Sequence, residues 1–220
     1  LLNFAHIVSH NLRSHTANFS MLLGFLIKEK DDVERENLLK MLITSSDNLL
    51  ETIDNLNEVV EINTNQNLIK KSIHVNSKIN SIQKSLKSLI KNKDATILNF
   101  IPDDFFVKGI PSYVDNILLN IISNAVKFAK PNKNHVVEIS SEKDKNYSII
   151  IVKDNGIGID LEKNKNKIFG MYKTFHQRDD SRGVGLYISK NQIDTMKGKF
   201  IIKSKVDFGT TFKIYFNEND

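Results

Sequence analysis

The sequence predicts an α+β protein in two parts: an N-terminal helical hairpin that pairs with a second copy into a dimeric four-helix bundle, then an α/β sandwich with helices on one face of a sheet. Three observations lead there. Leu39, Ser46, Ile53 and Val60 recur every seven residues, as do Leu42, Leu49 and Leu56, which is a two-seam heptad pattern. Past residue 73, short strand-like runs alternate with helical periods. Inside that second part, a helix expected from about 111 to 129 sets Asn116, Asn120, Asn124 and Lys127 on a single stripe.

In chain order, residues 1–63 read as the hairpin. Ala5, Leu12, Phe19 and Leu26 carry one seam back into the first helix, and Val8 and Leu22 carry the other. Lys28-Glu29-Lys30-Asp31-Asp32 is a charged turn, with Asp32 expected to cap the second helix. Two such helices cannot bury their stripes alone, so a homodimer is expected. Residues 64–72 form the linker, since Asn63-Thr64-Asn65-Gln66-Asn67 is polar and aperiodic. Residues 73–220 are the second domain. The pattern places a strand near 68 to 73, a helix near 76 to 91 and strands near 95 to 101 and 105 to 110. Pro111 then opens the Asn-bearing helix, as proline suits a first helical turn. Strands follow near 135 to 142 and 147 to 153, then a helix near 183 to 197 and strands near 199 to 205 and 211 to 216. Residues 159 to 182 carry few structural signals, which for a loop of that length points to a lid over a ligand.

Composition narrows the function classes. Apolar residues at 40% and charged residues at 26% are ordinary for a globular chain. No cysteine is present, which excludes disulfides and thiolate metal sites. No apolar run approaches the roughly 18 residues of a membrane span. The formal charge of +5 comes from lysines spread along the chain, not from a basic block interleaved with aromatics, so no direct nucleic-acid contact is expected. The opening Leu1-Leu2-Asn3-Phe4 lacks an initiator Met and reads as helix interior. The expectation is an excised, cytoplasmic fragment whose membrane contact, if any, lies in upstream segments.

The stripe on the 111–129 helix carries the first chemistry. At about 100° per residue its four polar residues span roughly 80°, while Val114, Ile117, Leu118, Ile121, Ile122, Ala125 and Phe128 fill the opposite side. Asparagine is a mediocre helix former, so several in register call for an explanation. Their amide oxygens suit magnesium, which keeps most of its waters and takes few protein ligands beside phosphates. Lys127, nearly a turn on, can meet a phosphate. The competing reading is a solvated face in an Asn-rich chain.

Further along, a strand delivers Asp154 to its end, followed by Asn155-Gly156-Ile157-Gly158. A carboxylate there can accept from an exocyclic amine of adenine, and the glycines admit close backbone approach; Asp-Asn-Gly is equally an ordinary turn signal. Gly183-Val184-Gly185 opens a helix, whose free amides favour phosphate oxygens. A further glycine, Gly209, precedes Thr210 at the start of the last strand. In the hairpin, Ser9-His10-Asn11-Leu12-Arg13 puts His10 at an outer heptad position, where a neutral imidazole is a usable nucleophile. His6 and His10 at i, i+4 would alternatively make an opportunistic metal pair.

Taken together, these segments resemble the catalytic core of a sensor histidine kinase of a two-component system, and nearly the whole chain is covered. Phe4 to Arg13 resembles the phosphoacceptor box with His10 at the phosphorylated position, in a subgroup that reads His-Asn-Leu-Arg. Asn120 to Phe128 resembles the Asn box, implying magnesium at Asn124 and nucleotide or phosphate contacts at Asn120 and Lys127. Asp154 to Ile159 resembles the first glycine box, with Asp154 reading adenine beside Gly156 and Gly158. Ile168-Phe169 through Phe175 resembles the Phe box, and Gly183 and Gly185 fall in the second glycine box, with Thr210 also assigned to the nucleotide. Three positions depart from the pattern: Asn11 where an acidic residue is usual, His15 where proline is usual, and Ser181 where a first glycine often stands.

The resemblance implies a dimerising and phosphoacceptor hairpin over 1–63 and a Bergerat-type ATP-binding domain over 73–220. It implies ATP and Mg2+ as cofactors, autophosphorylation on His10, and passage of the phosphoryl group to an aspartate of a response-regulator receiver domain. Asn11 orients the ring and Ser14, one turn on, takes the position where the family often holds a water for dephosphorylation. The alternative is a nucleotide-sensing dimeric scaffold, or a phosphatase-biased kinase with weak autophosphorylation.

Overall fold

The computed structural model describes residues 2–64, 69–130, 134–164, 168–170 and 184–219, with the backbone alone for residues 2–11, 51, 55, 58, 59 and 61–64. The chain divides into two compact units, Leu1–Thr64 and Asn65–Asp220.

The first unit is a hairpin of α1 (Leu2–Lys28) and α2 (Asp32–Thr64). The cap of α2 is Asp31, not Asp32: its Oδ1 accepts the amides of Val33 and Glu34, both at 2.9 Å. Asp32 is already the first helical residue, so its carboxylate sits one place too far along to fold back on those amides. Arg35 closes the turn, donating to the carbonyls of Leu26 and Glu29 that the end of α1 leaves unpaired. Inside the hairpin, Leu22 is buried among half-buried Leu12, Phe19, Leu26, Leu42, Leu49 and Leu56. Ser45 and Thr52 are buried too, and both are paired across the hairpin. Asn18 Nδ2 donates to Ser45 Oγ at 3.0 Å, while Thr52 gives its proton to the Asn48 carbonyl and so accepts from His15 Nε2 at 3.2 Å. The heptad seams therefore separate. Leu42, Leu49 and Leu56 face the partner helix, whereas Leu39, Ser46, Ile53 and Val60 are exposed in the single chain.

The second unit is built on a five-stranded sheet of order β2-β4-β5-β7-β6, with a separate antiparallel pair β1-β3. The strands are β1 (Lys71–His74), β2 (Ala95–Asn99), β3 (Phe106–Gly109), β4 (His135–Lys143), β5 (Tyr147–Asp154), β6 (Lys199–Lys205) and β7 (Gly209–Asn217). Register aligns Val137 with Asp154, Val152 with Phe212 and Ile150 with Ile214, so Val137, Ile139, Ile150, Val152, Phe212, Ile214 and Phe216 form one buried face. Against the sheet lies α5 (Pro111–Lys127), whose Val114, Ile117, Leu118, Ile121 and Ile122 are wholly buried. This helix is amphipathic as expected: its apolar arc supplies the core and its Asn stripe is left half-buried at the edge.

Three details go beyond the sequence expectation. The helix expected over 76 to 91 is α3 (Val75–Ser85) and α4 (Lys87–Asn92), interrupted at Leu86. The break is slight: the Ile82 carbonyl accepts both Ser85 Oγ at 2.8 Å and the Leu86 amide at 2.9 Å, and Ile90 N bonds the Leu86 carbonyl at 2.8 Å. The neighbouring strands β2 and β3 do not pair with each other. After β2, Asn99 Oδ1 holds the Ile101 amide and Phe105 N bonds to the Pro102 carbonyl, a turn that sends β3 to β1 while β2 pairs in parallel with β4. The expected irregular stretch holds a single helical turn, α6 (Leu161–Asn164). The last helix, α7 (Gly185–Thr195), packs on α5.

Candidate functional site

The Asn stripe is a bonded series, not a row of independent amides. Asn124 Nδ2 donates to Asn120 Oδ1 at 3.0 Å, and Asn120 Nδ2 donates to Ser189 Oγ on α7 at 2.8 Å. Among the described residues no hydrogen bond reaches Asn124 Oδ1, which leaves it an acceptor. Gly185, at the first turn of α7, sits so near Asn120 that a Cβ there would press on the Asn120 amide, within 3.1 Å of Nδ2. Glycine thus allows the amide-bearing start of α7 to close on the stripe.

At the end of β5, Asp154 is 8% exposed. Its Oδ1 accepts two backbone amides, Gly156 at 2.8 Å and Thr210 at 3.2 Å. Among the described residues no hydrogen bond reaches Oδ2, which is the acceptor left to a ligand. Burial pushes the Asp154 carboxyl above its ordinary value, opposed by the two amides and by the nearby His135 and Lys130 side chains. Gly158 has φ +69 and Gly209 has φ +100, each packed on backbone of the neighbouring turn, so an L side chain is excluded at both by conformation and by space. The first glycine turn is fastened to the end of α5, with Ile157 N bonding the Phe128 carbonyl at 3.0 Å, and to the β6-β7 turn, with Asp207 N bonding the Ile157 carbonyl at 2.8 Å. The loop holding Asp154 and the helix holding Asn124 are therefore one construction.

The sequence-derived residues fall out as follows. Asn120, Asn124, Lys127, Asp154, Gly156, Gly158, Gly185 and Thr210 all belong to the second unit, around the end of β5 and the facing edge of α5. Thr210 is buried with its hydroxyl on Ser204 Oγ at 2.8 Å, so its direct part is the amide it gives Asp154. Gly183 and most of the expected lid, residues 165–167 and 171–183, lie outside the described residues, as does Ser181. Of the Phe box, Ile168 is buried and Phe169 stacks on Phe200 with centroids 5.9 Å apart. In the hairpin, Ser14 is exposed and lines a cleft with His15, Asn18, Ser45 and Asn48. His10 and Asn11 lie on the backbone of α1, and their side chains are outside the description. Asn155 proves to be scaffolding: its side chain clasps the start of β4 through Val136 N and the Asn134 carbonyl.

Three residues escaped the sequence reading. Ser189 holds Asn120, and Ser204 ties Thr210, the Gly209 carbonyl and the Ile159 amide together. His135, 1% exposed, donates from Nε2 to the Ala125 carbonyl at 2.6 Å, leaving a buried Nδ1 without a partner. Serines on a helix or strand carry no positional signal, and His135 follows a polar stretch that reads as surface. Magnesium suits the donor set present. Among the described residues no cluster of three His, Asp or Glu exists, and a single amide oxygen beside substrate phosphates is the sparse ligation that ion accepts. No helix among the described residues is long and apolar enough to cross a membrane.

Comparison with known proteins adds the following. A family model described as histidine kinase-, DNA gyrase B- and HSP90-like ATPase matches residues 109–220. Histidine protein kinase SaeS of Staphylococcus aureus is 25% identical over 224 residues, covering 99% of this chain and 63% of SaeS. Autoinducer 2 sensor kinase/phosphatase LuxQ of Vibrio vulnificus is 26% identical over 226 residues, covering 96% of this chain and 26% of LuxQ. The chain thus spans less than two thirds of the length of these curated relatives. Among solved structures, the Acinetobacter baumannii histidine kinase AdeS matches with TM-score 0.77 at 19% identity, over 96% of this chain and 98% of the solved chain. Histidine kinase ThkA, solved in complex with response regulator protein TrrA, matches with TM-score 0.78 at 20% identity, over 99% of this chain and 61% of that one. At these identities the likeness is one of fold.

Proposed function

Because the chain belongs to the histidine kinase-, DNA gyrase B- and HSP90-like ATPase family, we propose that it is the catalytic core of a two-component sensor histidine kinase. Residues 73–220 bind ATP, residues 1–63 dimerise and present His10, and residues 64–72 join them. The observation that carries the nucleotide reading is Asp154: a buried carboxylate with one oxygen pinned by two amides and, among the described residues, no hydrogen bond on the other. The hairpin with Ser9-His10-Asn11-Leu12-Arg13 favours the kinase over the other branches of the family. The curated relatives' names and the ThkA complex with a response regulator support the same direction.

In this reading Asp154 Oδ2 accepts from the adenine amine, and Asn120, Lys127 and the amides at the start of α7, including Gly185, face the phosphates. Magnesium, when bound at Asn124 Oδ1, supplies charge neutralisation on those phosphates. An imidazole nitrogen of His10 attacks the γ-phosphorus in line; the P–O bond to ADP breaks, a P–N bond forms, and the ring proton passes to solvent. Near neutral pH one ring nitrogen already exposes a lone pair, so Asn11 has only to orient the ring. The phosphoryl group then moves from nitrogen to a carboxylate oxygen of a receiver-domain aspartate, which regenerates free His10. Ser14 is exposed one turn beyond, and in this reading it holds the water that later hydrolyses the acyl phosphate. The whole takes place in the cytoplasm.

Transfer tests the reading. Protein charged with radiolabelled ATP and freed of nucleotide is expected to lose its label to a cognate receiver domain. Nucleotide binding without any transferable label would favour the scaffold.

A further inference from the structure

We infer that His135 is a positioning residue for the nucleotide site: its hydrogen bond to the Ala125 carbonyl fixes the last turn of α5, which carries Asn124 and Lys127, to the strands that carry Asp154. The inference rests on the reading of Asp154 as the adenine acceptor and of Asn124 and Lys127 as the phosphate side.

The direction of this bond is settled by its acceptor. A carbonyl oxygen only accepts, so the Nε2 that lies 2.6 Å from it carries the hydrogen. The end of a helix leaves its last carbonyls without intrahelical amides, and an end so left frays. In α5, which closes at Lys127, the Asn124 carbonyl takes the Phe128 amide at 3.1 Å and the Ala125 carbonyl takes His135. Asn124 and Lys127 both stand in that last turn, so a donor from β4 holds the turn on which both depend.

At its other end His135 is built into the frame of Asp154. Val137 stands opposite Asp154 in the β4-β5 ladder, and His135, two residues earlier, shares the Val137 face, which makes it a diagonal neighbour of Asp154. Asn155, the residue after Asp154, clasps the backbone on both sides of His135 through Val136 N and the Asn134 carbonyl. The adenine side and the phosphate side are thereby joined through one imidazole. That imidazole is costly to bury: it is 1% exposed, and its Nδ1 has no partner among the described residues, whereas an apolar side chain would leave no such atom. What an apolar side chain cannot supply is the donor to Ala125.

The test compares two ligands on the whole chain. Adenosine, followed by NMR titration, reaches only the Asp154 side; a non-hydrolysable ATP analogue with magnesium, followed by calorimetry, spans both sides. His135→Leu and His135→Met remove the donor and keep an apolar side chain of similar size, while His135→Gln keeps an N–H at similar reach. In the first two, the analogue is expected to bind about fivefold more weakly, the worth of one ordinary hydrogen bond, because the ligand must then order the helix end itself. Adenosine affinity should stay within about twofold of wild type, and His135→Gln should restore binding of the analogue. Equal losses for both ligands in His135→Leu and His135→Met would overturn the inference, since a packing defect does not discriminate. So would an unchanged analogue affinity in both, or a loss in His135→Gln as large as theirs. Asp154→Asn, titrated with adenosine in parallel, separates the two levels: if it weakens adenosine while the His135 variants leave the analogue unaffected, the link fails and the adenine assignment stands. If it leaves adenosine unaffected, the assignment itself fails and the inference with it.

Discussion

Replacing Asp154 by Asn is expected to weaken nucleotide binding and at the same time stabilise the empty protein, and the structure supplies the sign of both effects. Asp154 Oδ1 is held by the amides of Gly156 and Thr210. In Asp154→Asn the side-chain oxygen must keep that position, because those amides need an acceptor, so the new NH2 takes the place of Oδ2. A donor then meets the adenine amine, itself a donor. The loss of a hydrogen bond to a charged acceptor is about 1.5–3 kcal/mol, or roughly 10- to 150-fold in affinity. Stability moves the other way. Burial raises the folded-state pKa of Asp154 above its ordinary 3.8, so the contribution favouring the fold is fully present below 3.8 and is lost as pH rises through the folded value. Asn never ionises and escapes that loss. Calorimetry with an ATP analogue and thermal melts from pH 3 to 8 read both, taking roughly one-unit steps as a guide. The variant should melt above wild type at neutral pH, and the gap should close below 3.8. Unchanged affinity, or a gap that persists at the acid end, would refute the reasoning.

Other outcomes follow from the same geometry. Asn124→Ala should cost about tenfold or more of the magnesium-dependent component of nucleotide binding, read by titrating magnesium at fixed nucleotide. Ile53 is exposed on the outward seam of the hairpin, so Ile53→Asp should leave the hairpin folded while dissociating the homodimer, because an unpaired carboxylate in an apolar seam is costly; analytical ultracentrifugation at micromolar concentration decides, and a monomeric wild type would contradict it. Asn11→Asp should raise the single-turnover rate of His10 phosphorylation more than about tenfold, bounded by the 10²- to 10⁴-fold range of a general base. Equal rates would show that Asn11 orients the ring as well as an acid does.

The legible parts of the molecule were those where one local rule decides the outcome. The Asn stripe of α5 was readable because 3.6-residue periodicity separates an oily arc from a polar one over seventeen residues. The close of β5 on Asp154 and the glycines that crowd it, Gly156 and Gly209, were readable as turn chemistry. What the sequence withheld is decided at a distance. Nothing local says that β2 runs parallel to β4 or that β3 leaves it for β1; the Pro102 turn and long-range pairing settle that. The cap moved from Asp32 to Asp31 because either acid satisfies the local pattern and only the helix start distinguishes them. Ser189, Ser204 and His135 acquire their roles from partners 69, 6 and 10 residues away, through contacts that no spacing in the chain announces. Which heptad seam lies inside the hairpin was likewise open, since both read as apolar.

The most direct measurement is single-turnover labelling from radiolabelled ATP of wild type, His10→Gln and Asp154→Asn, with the acid lability of the product determined. The account predicts an acid-labile phosphoryl group on wild type, none on His10→Gln, and at limiting ATP a rate in Asp154→Asn reduced in step with its lost affinity. An acid-stable label on wild type, or label surviving in His10→Gln, would contradict it.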